Sequence, residues 1–149
     1  MSVPAPIRLR PHHLVCLQFF RGEGYSAPFV ANLDRVLACL ADEPALVVGG
    51  ADDVCAFCPE LDADSLCASG SAGGENEIGR IDALACTALG VQPGERITLV
   101  DARMRLAADA FAVGLWRAEA CDGCAWESVC ERGWARLLGE AERAARADR

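Results

Sequence analysis

The chain has 149 residues, about half of them apolar, and a formal net charge of -8 from 14 basic and 22 acidic side chains. This length and composition fit one globular domain over 1–149 with a core of its own. An acidic chain without a basic stripe argues against nucleic-acid binding and against attraction to an anionic membrane surface.

Residues Met1 to Arg10 contain no long apolar core and no small-residue cleavage site, so they do not read as a signal peptide. Leu14 to Phe20 is interrupted by Gln18 and is too short to span a bilayer. The expected compartment is the cytoplasm. Thiols stay reduced there, so clustered cysteines favour metal or redox chemistry over structural disulfides.

Ile7-Arg8-Leu9-Arg10 alternates apolar and basic residues, as a short strand or extended entry segment does. Pro11 suits a first helical turn, and His12 through Phe20 can continue it up to Gly22 and Gly24. His12, His13 and Cys16 then lie within one turn of one another. Arg8 and Arg10 flank that helix start and are candidates to hold a small anionic ligand there; solvated arginines on a strand edge are the plainer reading.

Ser26 is a good N-cap with Pro28 just inside the next helix. Phe29, Val30, Leu33, Val36, Leu37 and Leu40 supply its core-facing stripe. Cys39 is expected to be a small buried hydrophobe. Ala45 to Val48 reads as a buried strand ended by Gly49-Gly50, and Asp52 and Asp53 read as turn and capping residues. Ile78 to Leu89 looks helical, with Gly90 as its stop; Pro93-Gly94 is a turn. A short strand is expected over Arg96 to Val100, a long helix over Asp101 to Ala120, and a solvated terminal helix over Trp134 to Ala147. The fold class is therefore α+β, mainly helical, with a few short strands and cysteine-bearing metal-binding loops.

The strongest chemical signal is the cysteine spacing. Cys55, Cys58 and Cys67 form C-x2-C-x8-C; Cys121, Cys124 and Cys130 form C-x2-C-x5-C. A C-x-x-C pair brings two sulfurs together across a tight turn, and tetrahedral sites want four ligands. Each triad is thus one ligand short. His12, His13, Cys16 and Cys86 are the candidates to complete them. Two separate sites, one shared site, or one metal site beside a redox disulfide all fit the spacing. Zinc and an iron–sulfur cluster both suit thiolate ligands. Trp126, inside the second triad, suits a shield against water.

The stretch Arg8-Leu9-Arg10-Pro11-His12-His13-Leu14-Val15-Cys16-Leu17 resembles the R-L-R-P-H-H-L-x-C-L opening of a small bacterial and archaeal family, domain of unknown function 1284. Gly24-Tyr25-Ser26, Phe29-Val30-Ala31-Asn32, Asp52-Asp53-Val54-Cys55-Ala56-Phe57-Cys58-Pro59 and Cys121-Asp122-Gly123-Cys124-Ala125-Trp126 are similar to its later segments. The resemblance covers the chain from about Arg8 to Cys130. It implies iron–sulfur binding without an assigned reaction, with the six triad cysteines as ligands and His12, His13 and Cys16 in the opening motif. Cys39 and Cys86 have no place in that pattern.

The leading expectation is a cytoplasmic iron–sulfur protein, serving electron transfer with a redox protein partner or cluster chemistry on a small anionic molecule. A zinc-stabilised, non-catalytic binding module is the alternative. A thiol redox protein is the third reading, although neither C-x-x-C sits in a thioredoxin-like pattern.

Overall fold

The computed structural model describes residues 5–19, 26–57, 74–109 and 114–118, and in the C-terminal region residues 135–137, 139, 142–143 and 146–147. Three short strands form one sheet in the order β1 (Arg8–Leu9), β2 (Ala45–Val47), β3 (Arg96–Ile97). β1 and β2 run parallel, with Arg8 opposite Leu46, while β3 is antiparallel to β2. The alternation seen at Ile7 to Arg10 places Ile7 and Leu9 in the core and Arg8 in solvent. Arg10 breaks it. Its side chain is buried because the backbone leaves the strand there and the guanidinium turns toward acidic partners.

Helices cover the sheet and make up most of the structure. Helix α1 (Pro11–Cys16) starts with Pro11 and runs into a 3-10 turn at Leu17–Phe19. Helix α2 (Ala27–Leu40) starts where Ser26 Oγ accepts a hydrogen bond from the Phe29 N–H at 3.3 Å. Its buried face is Phe29, Asn32, Leu33, Val36 and Leu40. Cys39 lies one residue off that face and is exposed, which corrects the expectation of a buried thiol.

Helix α3 (Glu75–Leu89) buries Ile78, Ile81, Asp82, Ala85, Ala88 and Leu89. It begins three residues before the apolar pattern does, with Glu75 and Glu77 in the first turn, where negative charge suits the helix dipole. It ends at Gly90, whose φ of 68° is the left-handed conformation glycine tolerates. Helix α4 (Leu99–Ala108) starts earlier than the sequence suggests. Thr98 Oγ1 accepts from the Asp101 N–H at 3.0 Å, so the cap stops β3 at Ile97 and claims Leu99 and Val100 for the helix. The expected helix to Ala120 is broken as well. Asp109 leaves helical geometry, and 114–118 are helical again.

One core joins these elements. Leu9, Val47 and Ile97 from the sheet meet Leu14, Val15, Leu33, Val36, Leu89 and Leu106 from the helices. Trp116 joins them and donates its Nε1–H to the Ile81 carbonyl at 3.2 Å. No helix among the described residues is long and apolar enough to cross a membrane.

Candidate metal centre

The two parallel strands end side by side, and the chain does the same thing after each: a short loop, then a helical turn. After β1 come Arg10, Pro11, His12 and His13; after β2 come Asp52, Asp53, Val54 and Cys55, the last starting a 3-10 turn at Cys55–Phe57. Crevices beyond the carboxyl ends of parallel strands are common ligand sites. Backbone pairing continues into the loops: the Asp53 N–H donates to the Arg8 carbonyl, and the Arg8 N–H to Asp53 Oδ2 at 2.7 Å. Asn32 of α2 holds the second loop by donating to the Asp53 carbonyl at 2.7 Å.

Asp52 locks the two loops together. Its Oδ2 accepts the Arg10 N–H and the His13 Nδ1–H, both at 2.6 Å. Its Oδ1 accepts the Val54 N–H at 2.9 Å and the Cys55 N–H at 3.1 Å. A carboxylate has about four lone-pair sites, and all are taken. The expected capping role is visible in the last two bonds, and the His13 bond adds to it.

Asp82, in the middle of α3, does the matching work on the other histidine. Its Oδ1 accepts the His12 N–H at 3.1 Å and the His12 Nδ1–H at 2.6 Å, and its Oδ2 accepts the Arg10 Nε–H at 2.9 Å. Arg10 completes its fork on Glu75 at 2.8 Å. Helix α1 has no side-chain cap of its own, so carboxylates from distant segments serve the N–H groups at its start. His12 and His13 have ring centroids 4.2 Å apart, tilted by 52°.

Burial opposes charge on Asp52 and Asp82, but hydrogen bonds from the histidines and the charges of His13, His12 and Arg10 outweigh it. Both carboxyls are held below the usual range and are acceptors only, so each Nδ1 carries the proton. Burial and then the neighbouring His13 lower His12 from its ordinary value of 6.5; the neutral ring, with its proton on Nδ1 toward Asp82, leaves Nε2 as a bare lone pair. Burial, followed by the Asp52 charge, pushes the Cys55 thiol up to about 12. A cation at the sulfur reverses that, since a coordinating thiol deprotonates.

The depressed carboxyls carry a pH prediction for the metal-free protein. Their contribution to stability is present above the ordinary carboxyl value of 3.8 and is lost as pH falls from there through the folded-state values. Urea midpoints measured from pH 6 to pH 2 should fall steadily below about pH 4. A flat profile would show that neither carboxyl is stabilised by folding.

A ring nitrogen of His13, an Asp52 oxygen and the Cys55 sulfur all lie within 4.8 Å of one another. Asp52 and His13 Nδ1 are already engaged, so the donors left over are His13 Nε2 and Cys55 Sγ. His13 and Cys55 come together with Asp52, and His12 lies beside His13 but outside that group. Cys16 ends α1 exposed and stands outside this close group, as does Cys86 on α3. Arg10 is engaged by Asp82 and Glu75, and the exposed Arg8 faces Asp53 at 4.0 Å. Cys58, Cys67, Cys121, Cys124, Cys130 and Trp126 lie outside the described residues.

Asp82 and Glu75 are not among the site residues expected from the sequence. The signal for Asp82 was there: a lone carboxylate on the apolar stripe of Ile78, Ile81, Ala85 and Leu89. Glu75 carried no such signal.

No curated protein and no solved structure matches the chain. The family model described as "Protein of unknown function (DUF1284)" matches residues 24–130, which take in both cysteine triads, Asp52 and Asp82; the Arg8-to-Leu17 stretch precedes the match. With well over half its length matched, the chain belongs to that family.

Proposed function

We propose that this chain is a metalloprotein whose metal sits beyond the ends of β1 and β2, bound by cysteine thiolates and by His13. The observation that carries the reading is the His13 ring held through Nδ1 by the saturated Asp52, beside the Cys55 thiol. Carboxylate-oriented imidazoles are characteristic of metal ligation, because the partner fixes both tautomer and ring direction. Nitrogen and sulfur donors select zinc or iron over magnesium or calcium.

Between those two metals, the six triad cysteines favour an iron–sulfur cluster, the metal form of choice for so many thiolates in one small chain. Its role is then electron transfer to a redox partner. Chemistry on an anion finds less support, since the Arg10 guanidinium is taken by two carboxylates. The mixed His13 and Cys55 donor set favours zinc as the second reading, with the ion stabilising a binding module. A thiol redox role is disfavoured at Cys55, because thiol exchange needs a thiolate and burial opposes one there.

Purification without oxygen, followed by visible absorption and by iron, sulfide and zinc analysis, tests this. Iron and acid-labile sulfide with a charge-transfer spectrum are expected. A colourless protein with stoichiometric zinc would replace the cluster by the second reading, and a protein free of both metals would end the proposal.

A further inference from the structure

We propose that His12 is a second imidazole ligand beside His13, so that this edge of the sheet takes zinc(II) or iron(II) on two ring nitrogens. The inference rests on the metal-binding reading above and assigns its nitrogen donors.

Each histidine has a carboxylate of its own, and the two carboxylates come from unrelated places: Asp52 from the loop after β2, Asp82 from the middle of α3. A histidine that merely fills space needs only one satisfied N–H. Here two adjacent rings are each bonded through Nδ1 to a carboxylate with further donors on it, as in metal-ligating histidines whose other ring N–H is held by a carboxylate. In both rings Nε2 is left over, and among the described residues no hydrogen bond engages it. The side chains are 14% and 17% exposed, so an ion can reach them while the rings stay fixed.

The rings are close enough to act together. Adjacent helical residues point about 100° apart, yet these ring centroids are separated by only 4.2 Å. The local field favours a cation. Asp52, Asp53, Asp82 and Glu75 surround the helix start, and the guanidinium of Arg10 is consumed by two of them. Imidazole with thiolate is a borderline donor set, suited to zinc(II) and iron(II).

The test uses the metal-free full chain labelled with nitrogen-15 and titrated with zinc(II) alone. The chain has two histidines, so long-range proton–nitrogen correlation reads each ring separately. Zinc should shift Nε2 of both rings and leave both Nδ1 atoms protonated. His12→Gln should weaken zinc binding at least about 10-fold while the His13 ring still responds to zinc, and Asp82→Asn about 10–100-fold. If only the His13 ring responds, or if His12→Gln binds zinc as tightly as the parent, His12 is not a ligand. Zinc binding that moves neither ring overturns the inference but leaves a thiolate metal site standing. Failure to bind zinc or iron at all removes the metal reading itself.

Discussion

Replacing Asp52 by asparagine is expected to weaken metal binding by about 10–100-fold and to destabilise the metal-free fold by about 3 kcal/mol. The carboxylate accepts four hydrogen bonds, two on each oxygen. An amide has one oxygen and one NH2, so either orientation sets two donors against two donors. With the NH2 toward Arg10 and His13, the histidine must take its proton on Nε2 to accept at Nδ1, and the metal-facing lone pair is gone. With the NH2 toward Val54 and Cys55, the turn that presents the cysteine loses its cap. Buried donors left unpaired cost about 1–3 kcal/mol each: the Arg10 N–H in the first case, the Val54 and Cys55 N–H groups in the second. Zinc titration and urea unfolding of the same variant read the two effects. Parent-like behaviour in both would show that the two loops are held together by something other than Asp52.

The second large effect is expected at Arg10. Its guanidinium is almost fully buried and joins Asp82 to Glu75. Arg10→Met should destabilise the protein by about 3–5 kcal/mol, since removing one partner leaves charge behind in a poorly solvated place. Glu75 is a quarter exposed and recovers some hydration, so the lower end is favoured. Adding Asp82→Asn to the methionine variant should restore part of the loss, with a coupling of about 0.5–3 kcal/mol between the two sites. Strictly additive losses would mean that the pair makes no net contribution. The methionine keeps its backbone N–H on Asp52, so the His13 side should survive while the His12 side loosens.

The sequence made some of this fold and centre legible, and physical range explains which parts. Ser26, Pro28 and Gly90 were legible because caps and stops act within a turn of where they sit. The same local rule holds at Thr98, whose hydroxyl caps α4 inside the stretch where a strand is expected through Val100. At Cys39 the phase of Leu33, Val36 and Leu40 sends the side chain outward, against the expectation of a buried thiol.

At the centre, paired cysteines and adjacent histidines are visible from spacing alone. What those histidines touch is not. Asp52 and Asp82 lie 39 and 70 residues away from them, and only the packing of α3 on α1 and the pairing of β1 with β2 bring them near.

Parallel strands cannot be joined by a hairpin, so the stretch between β1 and β2 must leave the sheet and return; it carries α1 and α2 on the way. His13 stands near the start of this excursion and Cys55 just beyond its end. An ion bridging them would therefore close a ring of about forty residues, much as a disulfide does. Such a tether restricts the denatured chain by about 4 kcal/mol at room temperature. In that respect the ion would act as a reversible staple, placed by the sheet where the untethered ensemble has much conformational freedom to lose.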